Sequence, residues 1–428
     1  MNQQIKQRIE QINNGQVPEG YFRTTAGIIP QEWRISPLGS LLEFKNGVNA
    51  DKGKYGSGIK MISVMDVLKN TPIHYNDIIG QVDIDENTLN TYCVDYGDIL
   101  FQRSSETAED AGKSNVYLDN EKTTYSGFVI RGKKKADYCP YFLNEALKKE
   151  EVRKQLIRNA AGSQHINIGQ ESLEKIEVCL PSATEQEKIA EILMKWDKAI
   201  ELQEKYIEKA NQQRIFLLKK VFEPKQNWSY QTLGDNVDLL ASGGTPSTKI
   251  LKYFDGNIVW VSIDDISKSG KYISKSNRTL SLEGLQNSSA KLFPKGTILY
   301  AMYASIGKCA IANIDCATSQ AIIGIVPSKN SFDNQYLYYY LCSIQERIST
   351  QGQQGTQANL NKGLVESFKI PTPMKDGKID IDEQKRISKI LIAIDNTITL
   401  NTKKLESIKQ QRKALQQYLL NGIVRVEV

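Results

Sequence analysis

The feature that most constrains the fold is an internal repeat of about 200 residues, which appears when the chain is searched for self-similarity. Four motifs occur twice in the same order, with offsets between 193 and 199 residues. They are Trp33 to Leu38-Gly39 with Trp228 to Leu233-Gly234, Gly97-Asp98-Ile99-Leu100 with Gly296-Thr297-Ile298-Leu299, Gly162-Ser163-Gln164 with Gly355-Thr356-Gln357, and Glu185-Gln186 with Glu383-Gln384. The 428 residues are therefore expected to form two copies of one unit, rather than the three domains that length alone favours.

Each copy begins with a globular part, residues 30–182 and 224–381. Short β-branched and aromatic runs such as Gly127-Phe128-Val129-Ile130 are separated by Gly, Asn and Ser, which is typical of short strands joined by loops. The clearest helical stretches are 141–160 and 334–350. A mixed α/β domain is predicted in each copy.

Each copy ends in a long helix, predicted for residues 183–223 and, with the C-terminal tail, 382–428. No Pro or Gly interrupts residues 183–222 or 382–421. The second stretch has a coiled-coil stripe made by Ile387, Leu391, Ile394, Ile398, Leu405, Ile408, Leu415 and Leu419. About 40 residues make a rod of about 60 Å.

The expected fold class is therefore α+β, with a polar N-terminal arm, residues 1–29, before the first domain. Two homologous mixed α/β domains would be separated by two long antiparallel coiled-coil helices and related by a pseudo-twofold axis. Such a chain would present two similar but non-identical surfaces at a fixed separation.

Composition excludes several classes of protein. The six cysteines contain no C-x-x-C pair, and only His74 and His165 could help to bind a metal, so neither a zinc site nor a disulfide framework is expected. No apolar run approaches the roughly 18 residues of a membrane span. A soluble, reduced, cytoplasmic protein without membrane association is predicted.

Enzymatic motifs are also missing from the sequence. Gly307-Lys308 is followed by Cys309, so no P-loop is present, and neither G-x-G-x-x-G nor H-E-x-x-H occurs. The absence of any Pro-Pro pair excludes an Asp/Asn-Pro-Pro-aromatic methyltransferase site. No catalytic residue and no metal ligand is predicted, and a nuclease or single-chain modification enzyme is a distant alternative.

The charge is compatible with a nucleic-acid partner without requiring one. The net charge is +6, but residues 30–182 are net negative and the largest positive share lies on residues 382–421. Affinity for such a partner would depend on local placement of Lys and Arg more than on the overall charge.

With these motifs in their duplicated order, the chain resembles the DNA-specificity subunit of type I restriction-modification systems from about Gly20 to Val426. The resemblance rests on the repeats above, on Ser242-Gly243-Gly244-Thr245-Pro246-Ser247, on Gly355-Thr356-Gln357-Ala358-Asn359-Leu360, on Pro181 before Glu185-Gln186, and on the closing Leu419 to Ile423. The first copy departs from it in having Phe44-Lys45-Asn46-Gly47 where the second has the Gly-Gly loop.

The resemblance implies a non-catalytic subunit that reads a bipartite, asymmetric double-stranded DNA target with two target recognition domains, while the helices set the gap. Two methyltransferase subunits would dock on it, and restriction/translocase subunits could join. No cofactor is implied on this chain, since S-adenosylmethionine and ATP with Mg²⁺ would be bound by the partners. The competing hypothesis is a coiled-coil scaffold that organises partners without reading DNA.

Candidate DNA contacts are predicted on loops and strand ends. In the first half they are Lys52, Lys54, Tyr55, Gln102, Arg103, Ser104 and Gln164, and in the second Thr245, Ser247, Lys249, Tyr303, Ser305, Lys308 and Gln357. A guanidinium that follows a strand can pair with guanine in the major groove, so Arg103 is either a base contact or the partner of Glu106 or Asp110. The loops with Gln164 and Gln357 either approach DNA or only connect domain and helix.

Overall fold

The computed structural model describes residues 3–162, 165–353 and 360–426. Contacts divide the chain into two compact units, unit 1 (Met1–Gln203 with Lys404–Val428) and unit 2 (Glu204–Lys403). Each unit therefore contains one globular domain, the beginning of one long helix and the end of the other.

Unit 1 contains thirteen strands in the described ranges. They are β1 (Tyr21–Thr24), β2 (Gly27–Pro30), β3 (Arg34–Pro37), β4 (Leu42–Asn46), β5 (Tyr55–Ile62), β6 (Gln81–Val82), β7 (Ile99–Gln102), β8 (Ser104–Ser105), β9 (Ser114–Val116), β10 (Thr124–Tyr125), β11 (Val129–Lys134), β12 (Ile166–Asn167) and β13 (Glu177–Leu180). The helices up to the end of the first long helix are α1 (Gln3–Asn13), α2 (Leu38–Leu41), α3 (Val64–Val67), α4 (Glu86–Thr91), α5 (Pro140–Leu147), α6 (Glu150–Arg158), α7 (Gln170–Glu174) and α8 (Ala183–Lys220).

Unit 2 repeats this arrangement. Its described strands are β14 (Trp228–Thr232), β15 (Val237–Ser242), β16 (Phe254–Val261), β17 (Tyr272–Ile273), β18 (Arg278–Leu280), β19 (Leu292–Phe293), β20 (Ile298–Ala301), β21 (Cys309–Ala312), β22 (Cys316–Thr318), β23 (Ile322–Pro327), β24 (Lys369–Lys375) and β25 (Lys378–Ile379). The remaining helices are α9 (Ile263–Lys268), α10 (Leu282–Gln286), α11 (Asn334–Gln353), α12 (Lys362–Glu366) and α13 (Ile381–Leu420).

The sheets of the two units have the same strand order. The sheet β4-β11-β7-β9 corresponds to β15-β23-β20-β21 with β17 added, the sheet β10-β5-β6 to β22-β16-β18 with β19 added, and the pair β3-β13 to β14-β24 with β25 added. Strands β7 and β20, which begin at the isoleucine of the Gly-Asp-Ile-Leu and Gly-Thr-Ile-Leu repeats, are buried at every residue. The predicted duplication and the α+β fold class are therefore confirmed.

The repeated Leu-Gly motif is explained by close packing of a short helix. A Cβ atom on Gly39 would lie 3.2 Å from the carbonyl oxygen of Glu174 at the end of α7, and one on Gly234 would lie 3.3 Å from that of Glu366 at the end of α12. Leu38 and Leu233, beside these glycines, are fully buried. Glycine at these two positions lets the backbones approach while the leucine fills the core.

The structure shows a fifth repeat, at the start of a short helix in each unit. Ser63 and Ser262 begin α3 and α9 with the same capping box, in which the backbone N–H donates to the carboxylate of Asp66 (2.9 Å) or Asp265 (2.8 Å). Each box satisfies N–H groups that a helix start leaves unpaired.

The stripe predicted on the second long helix faces inward. Ile387, Leu391, Ile394 and Leu419 are buried and the other four residues of the stripe are half-buried, while off the stripe Leu400 is 69% exposed. In unit 1 the beginning of α8 packs with the end of α13, and in unit 2 the end of α8 packs with the beginning of α13. Within each unit the two helix segments are therefore antiparallel.

Each helix pair carries an equivalent ion pair. In unit 1, Nε of Arg412 donates to Asp197 at 2.8 Å, and in unit 2 Nε of Arg214 donates to Asp395 at 2.5 Å. Arg412 also donates to the buried Glu145 at 2.6 Å. The polar position that interrupts the apolar stripe at Arg412 therefore joins helices and globular domain.

Two local predictions were wrong. Residues 141–160, expected as one helix, form α5 and α6, because Lys149 has extended backbone angles between them. The strand expected over residues 127–130 begins only at Val129, and Gly127-Phe128 forms the preceding turn.

Candidate nucleic-acid interface

Three chain segments meet at the end of the central strand of unit 1. The backbone N–H of Arg103, directly after β7, donates to the carbonyl of Phe128 at 2.9 Å. Its carbonyl accepts from the N–H of Ile168 at 3.0 Å, and Ile168 follows the loop that contains Gln164. Residues from separate parts of the chain are thus held at one surface position.

The side chain of Arg103 is half-buried and has a backbone partner. Its Nη1 donates to the carbonyl of Gly127 at 3.3 Å, whereas Asp110 is paired with Lys113 at 2.5 Å. Within the described part of the chain, the expected ion pair of Arg103 with Glu106 or Asp110 is not formed. Because a guanidinium has five N–H donors, most of them remain available to a ligand.

Gln102 lies inside the domain, although it was predicted as a DNA contact. Its side chain is 6% exposed, and Nε2 donates to the carbonyl of Ser104 at 2.9 Å. Both faces of β7 are covered up to its last residue, Gln102, and the chain reaches the surface only at Arg103, after the strand has ended. We therefore leave Gln102 out of the proposed contacts.

Ser104 is engaged in the same junction. Its hydroxyl is hydrogen-bonded to the side-chain oxygen of Asn167, where β8 pairs with β12. Gln164 lies outside the described residues. Ala161 and Asn167, on either side of it, are paired with each other, so the described ends of this loop lie beside Arg103 and Ser104.

Two residues at this surface were missed by the sequence interpretation. Phe128 is 65% exposed in the turn next to Arg103, and the side chain of Asn49 is exposed and lies against Gly127, where a Cβ atom would be only 1.8 Å from its Oδ1. Phe128 was taken for a strand residue; the preceding glycine was the only signal of a turn.

A second exposed group in unit 1 surrounds the turn before β5. Lys52 and Lys54 form one turn of 3₁₀ helix with no buried residue, and Tyr55 is 43% exposed with its hydroxyl accepting from the N–H of Ala50 at 3.0 Å. Two solvated ammonium groups beside an exposed ring can meet phosphate oxygens.

In unit 2 the Gly-Gly loop is held down by its glycines. A Cβ atom on Gly243 would lie 2.2 Å from the carbonyl oxygen of Thr318, and the carbonyl of Gly244 accepts from the indole N–H of Trp260 at 3.0 Å. This close approach leaves the predicted contacts of this loop exposed, namely Thr245, Ser247 and Lys249.

The other predicted contacts of unit 2 lie on the hairpin loop between β20 and β21. Tyr303 is 37% exposed, the hydroxyls of Ser305 and Ser267 are 3.0 Å apart, and Lys308 is half-buried. The N–H of Leu360 donates to the carbonyl of Met302 at 3.3 Å. Gln357, in the segment before Leu360, lies outside the described residues.

The two surfaces are equivalent in backbone but different in side chains. Arg103 and Met302 occupy the same position after the central strand, since each N–H donates to the residue just before the strand that pairs with it, Phe128 before β11 or Ala321 before β23. Unit 1 therefore presents a guanidinium where unit 2 presents a buried thioether.

Each unit also contains a titratable group whose pKa is shifted by burial. Burial raises the pKa of Asp98 to about 6, although the N–H groups of Asp95 and Lys134 donate to its carboxylate and Arg131 lies 4.0 Å away. In unit 2, burial lowers the pKa of Lys271 to about 8, and its ammonium donates to the hydroxyl of Tyr339 at 2.8 Å.

Two classes of site do not occur in the described part of the chain. It contains no helix long and apolar enough to cross a bilayer. It also groups no three His, Cys, Asp or Glu side chains in a way that could hold a metal ion.

Comparison with known proteins supports this description. The type I restriction modification DNA specificity domain matches twice, over residues 30–212 and 225–410. The putative type I restriction enzyme MjaX specificity subunit of Methanocaldococcus jannaschii is 26% identical, over 96% of this chain and 97% of its own length. The MjaVIII specificity subunit of the same organism is 25% identical over 96% and 97%.

Solved structures agree at the level of the fold. A chain from a structure that describes complex assembly and conformational transition of the type I R-M system has a TM-score of 0.61 at 15% identity, covering 92% of this chain and 99% of that one. The type I restriction-modification S subunit of M. genitalium has a TM-score of 0.54 at 16% identity, covering 92% and 96%. Because the family's domain matches both globular parts, the chain belongs to the type I restriction-modification DNA specificity family and carries two of its target recognition domains.

Proposed function

We propose that each unit of this specificity subunit reads one half of a bipartite, asymmetric DNA target. The observation that carries the proposal is the pair of equivalent surfaces after β7 and β20, which share a backbone arrangement but differ in side chains. An asymmetric target requires two backbones that dock on DNA in the same way but carry different side chains at the base edges.

In unit 1, Arg103 is the proposed base contact. The donors that Arg103 keeps available can form the bidentate pair with guanine O6 and N7, which is the commonest base-specific contact in a major groove. Phe128 and Asn49 flank it, one able to contact a thymine methyl group and the other adenine. Lys52 and Lys54 supply phosphate contacts, with Tyr55, Ser104 and Gln164 as further candidates.

In unit 2, the proposed contacts are on two loops. The Gly-Gly loop supplies two hydroxyls and an ammonium, and the hairpin loop after β20 supplies the other group of contacts. Together with Gln357, the proposed contacts are Thr245, Ser247, Lys249, Tyr303, Ser305 and Lys308. Without a guanidinium at position 302, this unit would read its half-site through hydroxyl, amide and ammonium groups.

The partner subunits supply the chemistry in this proposal. The chain itself is non-catalytic, and it assembles with methyltransferase and restriction subunits around DNA. We propose that two methyltransferase subunits bind, one for each unit, and that the uninterrupted helices α8 and α13 set the gap between half-sites. Specific DNA reading is favoured over a scaffold role because the family's recognition domain matches both globular parts.

The test compares Arg103→Ala, Arg103→Lys and Lys52→Ala in complex with the methyltransferase subunit, by mapping methylated adenines and titrating DNA at several salt concentrations. Arg103→Ala should lose about 1–3 kcal/mol of discrimination at one base pair. Arg103→Lys should lose a similar amount while keeping the salt dependence, because lysine retains the charge but not the planar fork.

Lys52→Ala should weaken binding equally on all sequences and reduce the salt slope by about 1. Lys362→Ala, which changes an exposed lysine on α12 that pairs with Glu366, is the control and should behave as wild type. Unchanged methylation patterns and salt slopes for both Arg103 and Lys52 variants would contradict the placement of DNA on this surface.

A further inference from the structure

In unit 1, the N-terminal arm fills a groove of its own domain. The hairpin β1–β2 buries Ala26 and Ile29 completely. The ammonium of Lys149 donates to the carbonyls of Ala26 at 3.1 Å and Leu420 at 3.0 Å, the hydroxyl of Thr24 lies 3.9 Å from the thiol of Cys179, and the hydroxyl of Thr25 is bonded to Glu177.

The repeat identifies the same groove in unit 2. The strand pair β14–β24 of unit 2 corresponds to the pair β3–β13 of unit 1. Comparison of the two registers places Lys369 at the position of Glu177 and Pro371 at that of Cys179. The helices α5 and α11 align through the N–H groups of Cys139 and Asp333, which donate to Gln186 and Gln384. By that alignment and by the equivalent ion pairs of Arg412 and Arg214, Ser343 replaces Lys149 and Phe222 replaces Leu420.

These four positions line an open cavity in unit 2. Phe222, Ser343, Lys369 and Pro371 all border a space of about 580 Å³, which no described residue fills. The N-terminal arm, which closes the groove in unit 1, therefore has no counterpart among the described residues of unit 2.

The chemistry of the open groove is apolar with a basic rim. Its floor includes Tyr340 and Phe368, and Tyr230 and Leu364 at its edge are 60% and 48% exposed. Three exposed cations complete the lining, namely Lys219, Arg347 and Lys369, and no carboxylate belongs to the described lining. The replacement of Glu177 by Lys369 reverses the charge that the arm meets in unit 1.

We propose that this groove binds an extended segment of the methyltransferase subunit that carries apolar residues together with Asp or Glu. The apolar side chains would take the place of Ala26 and Ile29, and the carboxylates would pair with the rim cations. A DNA backbone would match the rim but not the aromatic floor. The arm of a second copy fits poorly, because residues 1–29 carry three basic and two acidic groups, and its own Tyr21 is anchored to the carbonyl of Gly422.

The inference rests on the proposed function for the identity of the partner, and it adds an asymmetry. If two identical methyltransferase subunits bind equivalent sides of the chain, only the one at unit 2 finds an open groove. One segment per complex should therefore be anchored.

The test places p-benzoylphenylalanine at Leu364 in the full chain, assembles it with the methyltransferase subunit and DNA, and identifies the photoadduct by mass spectrometry. The expected result is one adduct per complex, to an acidic and apolar methyltransferase segment. Adducts only to DNA, to a second copy or within the chain, or no adduct at all, would overturn the proposal.

A charge reversal gives the second measurement. Arg347→Glu with Lys369→Glu should weaken methyltransferase binding at least tenfold and leave DNA binding of the chain unchanged, while the matched Lys362→Glu outside the groove should have no effect. Methyltransferase affinity that withstands the reversal would refute the groove but not the specificity function. Failure of the wild-type complex to bind DNA selectively would refute the specificity function instead.

Discussion

Replacement of Arg412 by methionine should destabilise unit 1 much more than the matched Arg214→Met destabilises unit 2. The guanidinium of Arg412 is 14% exposed and bonds to Asp197 and to Glu145, whose side chain is 1% exposed. In unit 2, Arg214 and Asp395 are 27% and 22% exposed. The pair of Arg412 with Asp197, which is 31% exposed, is as solvated as its counterpart in unit 2, but Arg412 also has a dry partner, Glu145, in unit 1.

The magnitude follows from what remains beside Glu145. Removing one partner of a buried ion pair costs about 3–5 kcal/mol, but Lys148 at 2.7 Å and Gln416 at 2.9 Å still contact this carboxylate. We expect about 2–3 kcal/mol for Arg412→Met. For Arg214→Met, solvent screening reduces the expected cost to about 1 kcal/mol.

Hydrogen exchange of the full chain, measured by mass spectrometry, separates the two units. A loss of 2–3 kcal/mol corresponds to exchange about 30–150 times faster in α5 for Arg412→Met, while α11 should change by less than about tenfold in Arg214→Met. Equal effects of the two variants on their own units would refute the reasoning from burial. Combined with Glu145→Gln, Arg412→Met should cost less than the sum of the single changes.

The effect should also depend on pH. Burial opposes the charge of Glu145, but Lys148 and Arg412 together outweigh it and lower its pKa below the ordinary 4.5. A lowered carboxyl pKa contributes stability above the unfolded-state pKa, and this contribution is lost as the pH falls through the folded-state pKa. The advantage of wild type over Arg412→Met should therefore shrink as the pH falls below the ordinary glutamate pKa of 4.5.

Two further predictions concern single positions. The pKa of Asp98 is raised from 3.8 to about 6, so the free energy of unfolding of wild type should fall by about 2–3 kcal/mol between pH 4 and pH 7 as this carboxyl ionises. Urea unfolding of Asp98→Asn should not show this fall, and parallel pH profiles of the two proteins would contradict the prediction. Asp255 has φ of 58° where the first copy has Gly56, so Asp255→Val should lose about 1–2 kcal/mol in the same assay, whereas Asp255→Gly should stay within about 0.5 kcal/mol of wild type. Equal stability of the two Asp255 variants would exclude a backbone origin.

Much of the fold was predictable because its signals are local or repeated. The apolar stripe of α13 and the absence of Pro and Gly predict a long helix with a buried face, and duplicated motifs predict equivalent strands. The break between α5 and α6 was not predictable, because the carbonyls that hold Lys149 lie 123 and 271 residues away. Phe128 was placed in a strand, since its β-rich neighbours dominate a sequence pattern.

The candidate DNA surface was predictable only in part. The loop positions after β7 and β20 follow from the strand pattern, but burial of Gln102 and exposure of Phe128 depend on neighbours from distant segments. The strand pattern does not show that both faces of β7 are covered as far as Gln102.

The sequence by itself determined that this chain is a duplicated α+β protein with two long helices and the motifs of a DNA specificity subunit, because periodicity and repeats are properties of residue order. Only the tertiary structure decided which side chains reach the surface, which ion pairs are dry, and that the groove closed by the arm in unit 1 stays open in unit 2. Those features depend on atoms brought together from far apart in the chain, and no spacing rule encodes their contacts.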